Sequence, residues 1–211
     1  MAERIQPMDP VEGSGPFDDA EYRFEPWWPG VRVILSTDGQ DVRLAARDLS
    51  APLASFPELR GVVPLVSGGS AALDGTLLVL DAEGRPDQRL LRERLAYPEV
   101  HDGTPALVVS DLLWAGDRDL RALPYRTRLD ELGGLLRDSD WCMVGRGFVG
   151  EGLAVAAALE SMGMPAMGAR HLGSAYRSGP SKGAWLRLPL RPGQAAAAGR
   201  PTLALLLRLG L

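Results

Sequence analysis

The chain of 211 residues carries 45% hydrophobic and 24% charged side chains, which is enough apolar material for one large domain with its own core. Its formal net charge of −4 speaks against tight, sequence-independent binding to DNA, which draws its affinity from clustered cations. No basic, apolar leader opens the chain, and the longest apolar tract near the end, 202–211, contains Arg208 and is far shorter than the roughly 20 apolar residues a membrane span needs, so no membrane partner is expected.

Residues 1–21 mix Pro, Gly, Asp and Glu without periodicity and read as a flexible arm. The β-prone runs 31–35 and 42–46, joined through Asp38-Gly39, predict a hairpin. A buried strand is expected over 76–81, then a short amphipathic helix over 87–95 on the spacing of Leu90, Leu91 and Leu95, and a second buried strand over 106–113. The runs 125–136 and 151–162 are the strongest helix candidates, and strands resume at 166–170 and 185–190. Residues 191–211 read as a Pro/Gly/Ala linker followed by a short apolar tail. Hairpins and helices in this order predict an α+β domain over 22–190, built on antiparallel sheets flanked by helices. The single cysteine, Cys142, can form neither an internal disulfide nor a thiolate cluster; it fits a reducing cytoplasm and reads as an apolar filler. Among the 23 basic residues Lys182 is the only lysine, so arginine supplies nearly all the positive charge.

The segment Tyr22-Arg23-Phe24-Glu25-Pro26-Trp27-Trp28-Pro29-Gly30-Val31-Arg32 resembles Phe-Glu-Pro-Lys-Trp-Asp-Gly-x-Arg, the motif that opens the adenylation domain of bacterial ATP-dependent DNA ligases. Further segments follow in the family's order. Val42-Arg43-Leu44 through Arg47 to Phe56-Pro57-Glu58-Leu59 is similar to Val-Arg-Leu-x-Ser-Arg-Asn-Gly and its Phe-Pro-Glu-Leu ending, and Leu73-Asp74-Gly75-Thr76 to Leu-Asp-Gly-Glu. Ser110-Asp111-Leu112-Leu113-Trp114 and Leu123-Pro124-Tyr125-Arg126 resemble Phe-Asp-Leu-Leu-Tyr and Leu-Pro-Tyr-x-x-Arg. Pro165 to Arg170, Ser174 to Gly179 and Trp185-Leu186-Arg187 resemble Glu-Gly-Ile-Val-Ala-Lys, Ser-Pro-Tyr-Arg-x-Gly and Trp-Leu-Lys. The resemblance implies a ligase-type nucleotidyltransferase, ATP-grasp-like fold, with ATP and Mg²⁺ as family cofactors.

Measured against that pattern, the chemistry-bearing positions are altered. Trp27 stands where the family has the lysine that takes AMP from ATP, and an indole N–H has no lone pair to attack phosphorus. Thr76 and Pro165 stand at two glutamates that help to organise the divalent cation, and Ser110 stands where an aromatic stacks on adenine. No catalytic or metal-ligating residue is therefore expected, neither cofactor is expected to be used, and the chain reads as a pseudoenzyme. Lys182 and His171 are the remaining candidates for an unusual nucleophile. Glu25, Arg32, Arg47, Arg170 and Arg187 keep the charge pattern of a ligand cradle; they either hold a nucleotide or another phosphate-bearing ligand, or pair with carboxylates and stabilise the fold. Asp74 and Asp111 have the same two readings, weak cation ligands or hydrogen-bond acceptors. The Trp27 ring either fills the nucleotide pocket left by the Ser110 substitution or sits on the surface. The stretch after Leu190 is too short for the five-stranded OB barrel that follows this domain in the family, and no amino-terminal DNA-binding module is expected either. The reading is a binding or regulatory protein linked to DNA repair, with a repair protein as a candidate partner. Its alternatives are an active nucleotidyltransferase with another nucleophile and an interaction remnant without a nucleotide.

Overall fold

The computed structural model describes residues 5–47, 49, 52–191 and 201–211. In chain order, β1 (Met8–Asp9), β2 (Val11–Glu12), β3 (Asp19–Pro26), β4 (Val31–Asp38) and β5 (Val42–Ala46) precede α1 (Pro52–Ser55), the 3₁₀ segment Pro57–Leu65, β6 (Ser70–Leu80), α2 (Gln88–Ala96) and β7 (Thr104–Ala115). Then come β8 (Arg118–Asp119), α3 (Tyr125–Leu135), β9 (Cys142–Val144), β10 (Phe148–Gly150), α4 (Gly152–Ser161), β11 (Ala166–His171), β12 (Gly179–Pro180), β13 (Trp185–Pro189) and α5 (Leu203–Arg208). Among the described residues these form a six-stranded sheet, β5-β4-β6-β7-β8 with β9 beside β7, a five-stranded sheet, β10-β3-β11-β13-β2, and the small β1–β12 pair.

Period-two alternation sorts each strand into an apolar and a polar face. On the six-stranded sheet, Val33, Leu35, Leu73, Leu77, Leu107 and Val109 join the main core beneath the 3₁₀ segment, α2 and α3. Their neighbours Arg32, Asp74, Thr76 and Ser110 are left on the opposite face. On the five-stranded sheet, Phe24, Met167, Ala169 and Leu188 pack under α4, which turns Arg23, Glu25, Arg170 and Trp185 the other way. The polar faces of the two sheets meet across a cleft, where Arg170 and Arg32 both reach Ser110.

Several turn and cap residues behave as their chemistry dictates. The Asp38 carboxylate accepts from the amides of Gln40 and Asp41, closing the β4–β5 hairpin around Gly39 at φ 93°. Asp87 caps α2 by accepting from the amides of Arg89 and Leu90. Gly30 is required for close approach, since a Cβ there would lie 2.2 Å from the Leu77 carbonyl oxygen.

The structure revises the expected arm and one strand boundary, and it shows where the tail lies. From residue 5 on, the arm expected to be flexible lies against the domain: Met8 and Asp9 pair with Gly179 and Pro180, Val11 and Glu12 pair in parallel with Leu186 and Arg187, and Ile5 and Met8 are buried beside Trp185. Short strands paired to residues far along the chain leave no local periodicity to read. The tail expected after residue 191 also docks, with Leu203 against Leu78, Leu80 and Met143, and Leu206 and Leu211 against the α4 core. The linker residues 192–200 lie outside the described residues. The strand expected over 76–81 extends back to Ser70, because its outward residues are buried as well.

Candidate functional site

The cleft holds a buried network of arginines and carboxylates. The Arg170 guanidinium, 2% exposed, donates from Nε to Glu25 Oε1 at 2.8 Å and from Nη2 to Ser110 Oγ at 3.0 Å, and its Cζ lies 4.0 Å from the centroid of the Trp185 ring. The other Glu25 oxygen accepts from Arg23 Nη1 at 2.7 Å, and Arg23 Nη2 donates to the Gly145 carbonyl at 2.7 Å. Strand register explains the encounter: Glu25 lies opposite Gly168, and Arg170 lies opposite both Arg23 and Trp185.

From the facing sheet, Arg32 reaches Asp74 Oδ1 at 2.5 Å and Ser110 Oγ at 3.3 Å, and its Cζ sits 4.3 Å from the Trp185 ring. The remaining Asp74 oxygen accepts from Tyr176 Oη at 2.8 Å, and Tyr176 Oη itself accepts from the Met8 amide at 2.8 Å. Ser110 is the extra residue of a β-bulge: Asp74 pairs with Asp111 and Gly75 with Val109, so Ser110 is unmatched. Beside this network, Arg128 grips both oxygens of the fully buried Asp111 at 2.7 and 2.8 Å and donates to the Ser174 carbonyl at 2.9 Å. Asp111 is thus a structural ion-pair partner.

The electrostatics follow from burial and neighbours. Burial alone would raise the Glu25 pKa, but Arg170 and Arg23 outweigh it and hold the carboxyl below its usual range. At Asp74 burial wins over Arg32 and Arg170, and its pKa is raised. The 2.5 Å contact with Arg32 and the hydrogen bond donated by the Tyr176 hydroxyl to the carboxylate argue for the ionised form near neutral pH. Burial also pushes the Tyr125 phenol up to about 12, leaving a neutral hydroxyl that donates to the Ser110 carbonyl at 3.2 Å. Three guanidiniums, of Arg23, Arg32 and Arg170, face two carboxylates, of Glu25 and Asp74, so the network carries one positive charge in excess. Arg170 Nη1 and Trp185 Nε1 are buried donors without a hydrogen-bond partner.

Next to the network lies a cavity of about 130 Å³ whose wall includes Trp27, Trp28, Arg32, Thr76, Ser110 and Arg170. Sites for drug-sized ligands span roughly 300–1,000 Å³, so this cavity is small for a nucleoside triphosphate. Trp27 does not fill it. Its ring is half-buried at the wall, 5.6 Å from the Trp185 ring, with Arg187 5.5 Å above it. Arg170 and Trp185 line the same cavity.

Of the five cradle residues expected from the sequence, the fold brings together Glu25, Arg32 and Arg170. Arg187 stands at the mouth, paired with Glu12 at 3.1 Å, and Arg47 lies outside the cavity wall, 2.8 Å from Asp9. Pro165 is exposed at the start of β11, where its carbonyl accepts from the Leu190 amide. Lys182 and His171 are also absent from the cavity wall: Lys182 is exposed in the turn before β13, and His171 lies edge-on to Tyr22. Sequence reasoning missed Arg23 and Trp185, the two residues that complete the network. Their signal was the alternation along β3 and β13, which puts Arg23 beside Glu25 and makes Trp185 face inward.

The donor set does not suit the cofactors of the resembled family. Thr76 offers a neutral hydroxyl and Pro165 no side-chain donor, and among the described residues no group of three or more His, Cys, Asp or Glu could hold a metal ion. No amine side chain lines the cavity, so its wall offers no nucleophile for transfer of AMP.

Comparison with known proteins gives the fold and these residues a context. No family model matches the sequence. DNA ligase C1 of Mycolicibacterium smegmatis is 31% identical over 141 residues, 62% of this chain and 40% of that protein. A probable DNA ligase of Anaeromyxobacter sp. is 28% identical over 202 residues, 89% of this chain and 38% of that protein. Among solved structures, mycobacterial DNA ligase D complexed with ATP and MES superposes with a TM-score of 0.76 at 23% identity, covering 90% of this chain and 61% of that one. In sequence the chain is similar to these DNA ligases, and in fold to the ligase domain of DNA ligase D. The ligase domain of M. tuberculosis LigD agrees, with a TM-score of 0.75 at 24% identity over 89% of this chain and 60% of that one. The chain thus has the expected mixed fold of sheets and helices, and it spans less than half the length of each of the two sequence relatives. No helix among the described residues is long and apolar enough to cross a membrane.

Proposed function

We propose that this ligase homologue does not adenylate itself and acts as a binding or regulatory protein for a phosphate-bearing ligand, in a pathway of DNA repair. The observation that carries the reading is the Arg170–Glu25–Arg23 network, which fills the cleft beside Trp27 with internally paired charge and leaves about 130 Å³. Catalysis by transfer of AMP needs an amine within bonding reach of the α-phosphate, and Trp27 supplies none. The surplus positive charge and the unpartnered Arg170 and Trp185 donors favour an anionic ligand over a neutral one. The link to repair rests on relatives such as the multifunctional non-homologous end joining protein LigD of Pseudomonas aeruginosa, 29% identical over 170 residues. Tight binding to duplex DNA is not expected at a net charge of −4.

The test is intact mass after incubation with ATP and Mg²⁺. An unchanged mass is expected, and an added AMP on any side chain would establish an active nucleotidyltransferase instead. A second reading, an interaction remnant without a ligand, is favoured by the internal pairing of Glu25 and Asp74 with arginines. It predicts that saturating ATP, AMP and polyphosphate leave the thermal midpoint unchanged, since any ligand of the native state must raise it.

A further inference from the structure

The helix α5 lies across one end of the cleft and joins the two sheets there. Leu203 packs with Leu78, Leu80, Ala106, Val108 and Met143 of the six-stranded sheet, Leu206 and Leu211 enter the α4 core of the other sheet, and Trp28 packs against both clusters. Strand register puts the first of these contacts on the cleft face. Thr76 lies opposite Val108 and Leu78 opposite Ala106, and Leu78 and Leu80 alternate with Leu77 and Val79, which belong to the main core. Trp28, Gly30, Thr76 and Val108 also line the cavity. A Cβ on Gly30 would lie 2.7 Å from the side chains of both Thr76 and Leu78, so the cavity wall runs directly into an apolar shelf. The leucines of α5 cover that shelf.

The cover is held almost entirely by apolar packing. Among the described residues, one hydrogen bond ties residues 201–211 to the rest of the domain, from the Leu203 amide to the Gly84 carbonyl at 3.0 Å. The others stay inside the segment, as where the Thr202 hydroxyl caps the helix by accepting from the Leu205 amide. The strands beneath it are held by backbone ladders to their neighbours instead. A segment with so few polar ties opens at a lower free energy than the ladders around it, and as a unit. Its detachment breaks one hydrogen bond to the domain and unpairs no strand.

We propose that α5 is an autoinhibitory lid: it closes the Trp28 end of the cleft, and it opens as a unit while both sheets stay folded, extending the cavity along the shelf of Leu78, Leu80, Val108 and Met143. With the lid closed the cavity measures about 130 Å³. Access is thus governed by a segment outside the motif-bearing strands. The lid controls the same cleft as the binding reading but does not rest on it, because opening is a property of the chain without a ligand.

Neighbouring residues of β9 supply the test. Cys142 is fully buried in the main core, whereas Met143, 3% exposed, belongs to the cluster under α5 and lines a groove with Leu80, Thr202, Leu203 and Leu207. A thiol at 143 is therefore covered by α5, and the native thiol at 142 by the sheet. Labelling by a disulfide reagent at mildly alkaline pH, without ligand or denaturant, is compared in the full-length wild type and in Cys142→Ala with Met143→Cys, each checked for a cooperative urea transition. The thiol at 143 is expected to react more slowly than in the urea-unfolded chain but at least about a hundredfold faster than Cys142, which waits for global unfolding. Adding Leu206→Ala loosens α5 from the α4 core without hollowing the cluster around 143, and should speed labelling at 143 on the order of thirtyfold. Leu80→Cys in the Cys142→Ala background is a second reporter in the same groove, should the first variant not fold. Labelling at 143 no faster than at 142 overturns the proposal, because α5 then opens only with the whole domain. Labelling as fast as in the unfolded chain overturns it too, since α5 then covers nothing, and so does a rate at 143 indifferent to Leu206→Ala. No nucleotide is present, so an AMP adduct found in the separate mass experiment would sink the non-adenylating reading and leave the lid standing.

Discussion

Replacing Glu25 with glutamine asks whether the cleft network holds the domain together or waits for a ligand. The carboxylate is 6% exposed and accepts from Arg23 at 2.7 Å and from Arg170 at 2.8 Å. An amide keeps one acceptor oxygen and turns two N–H donors toward the other guanidinium, leaving buried positive charge uncompensated. Hydrogen bonds to charged groups contribute about 1.5–3 kcal/mol each, and removing one member of a buried pair costs about 3–5 kcal/mol. The expected loss is therefore about 4 kcal/mol, close to a thousandfold in the folding constant and about 10 °C in thermal midpoint for a domain of this size.

Urea titration followed by tryptophan fluorescence reads this loss as a lower midpoint with an unchanged slope. The pH dependence supplies a second check. Because the folded pKa of Glu25 lies below the usual 4.5, its ionised form stabilises the fold fully above that value, and the contribution is lost as pH falls through the lower folded value. The gap between wild type and Glu25→Gln should be constant near neutral pH and close on acidification. A variant within about 1 kcal/mol of the wild type would mean that Glu25 is not bound into the network, and the case for a self-paired cleft would fail.

Other substitutions probe the same architecture. Trp27→Lys restores an amine but leaves Arg170 and Trp185 in the cleft and Thr76 and Pro165 at the carboxylate positions, so no AMP adduct is expected by mass after ATP and Mg²⁺. An adduct would show that nucleotide reaches the cleft despite the arginine network. Leu206→Ala, at a residue 1% exposed in the α4 core, should lower stability by about 2–5 kcal/mol in chemical denaturation, and a loss under about 0.5 kcal/mol would mean that α5 does not dock. Cys142 is fully buried, and burial pushes its thiol up to about 12, so a disulfide reagent at mildly alkaline pH should leave the native protein unlabelled and react promptly once urea unfolds it.

The amino-acid sequence by itself determined which strands and helices form, because their signals are local. β-prone runs joined by Asp38-Gly39 placed the β4–β5 hairpin, apolar runs placed β7, β11 and β13 within a few residues of where they lie, and the amphipathic and helix-forming runs did the same for α2 and α3. It also fixed the chemical character of the site, since the presence of indole at Trp27 and hydroxyl at Thr76 follows from residue identity alone. Only the tertiary structure decided what the remaining charges do. Arg23, Glu25 and Arg170 come from strands far apart in the chain, and only the antiparallel register of β3 and β11 puts them in contact. The β-bulge that turns Ser110 toward two arginines, and the short strands β1 and β2 whose Asp9 and Glu12 meet Arg47 and Arg187, depend on pairings between distant segments. A charge reads the same in sequence whether it faces solvent, a ligand or a buried partner, and the packing of the two sheets selects among these.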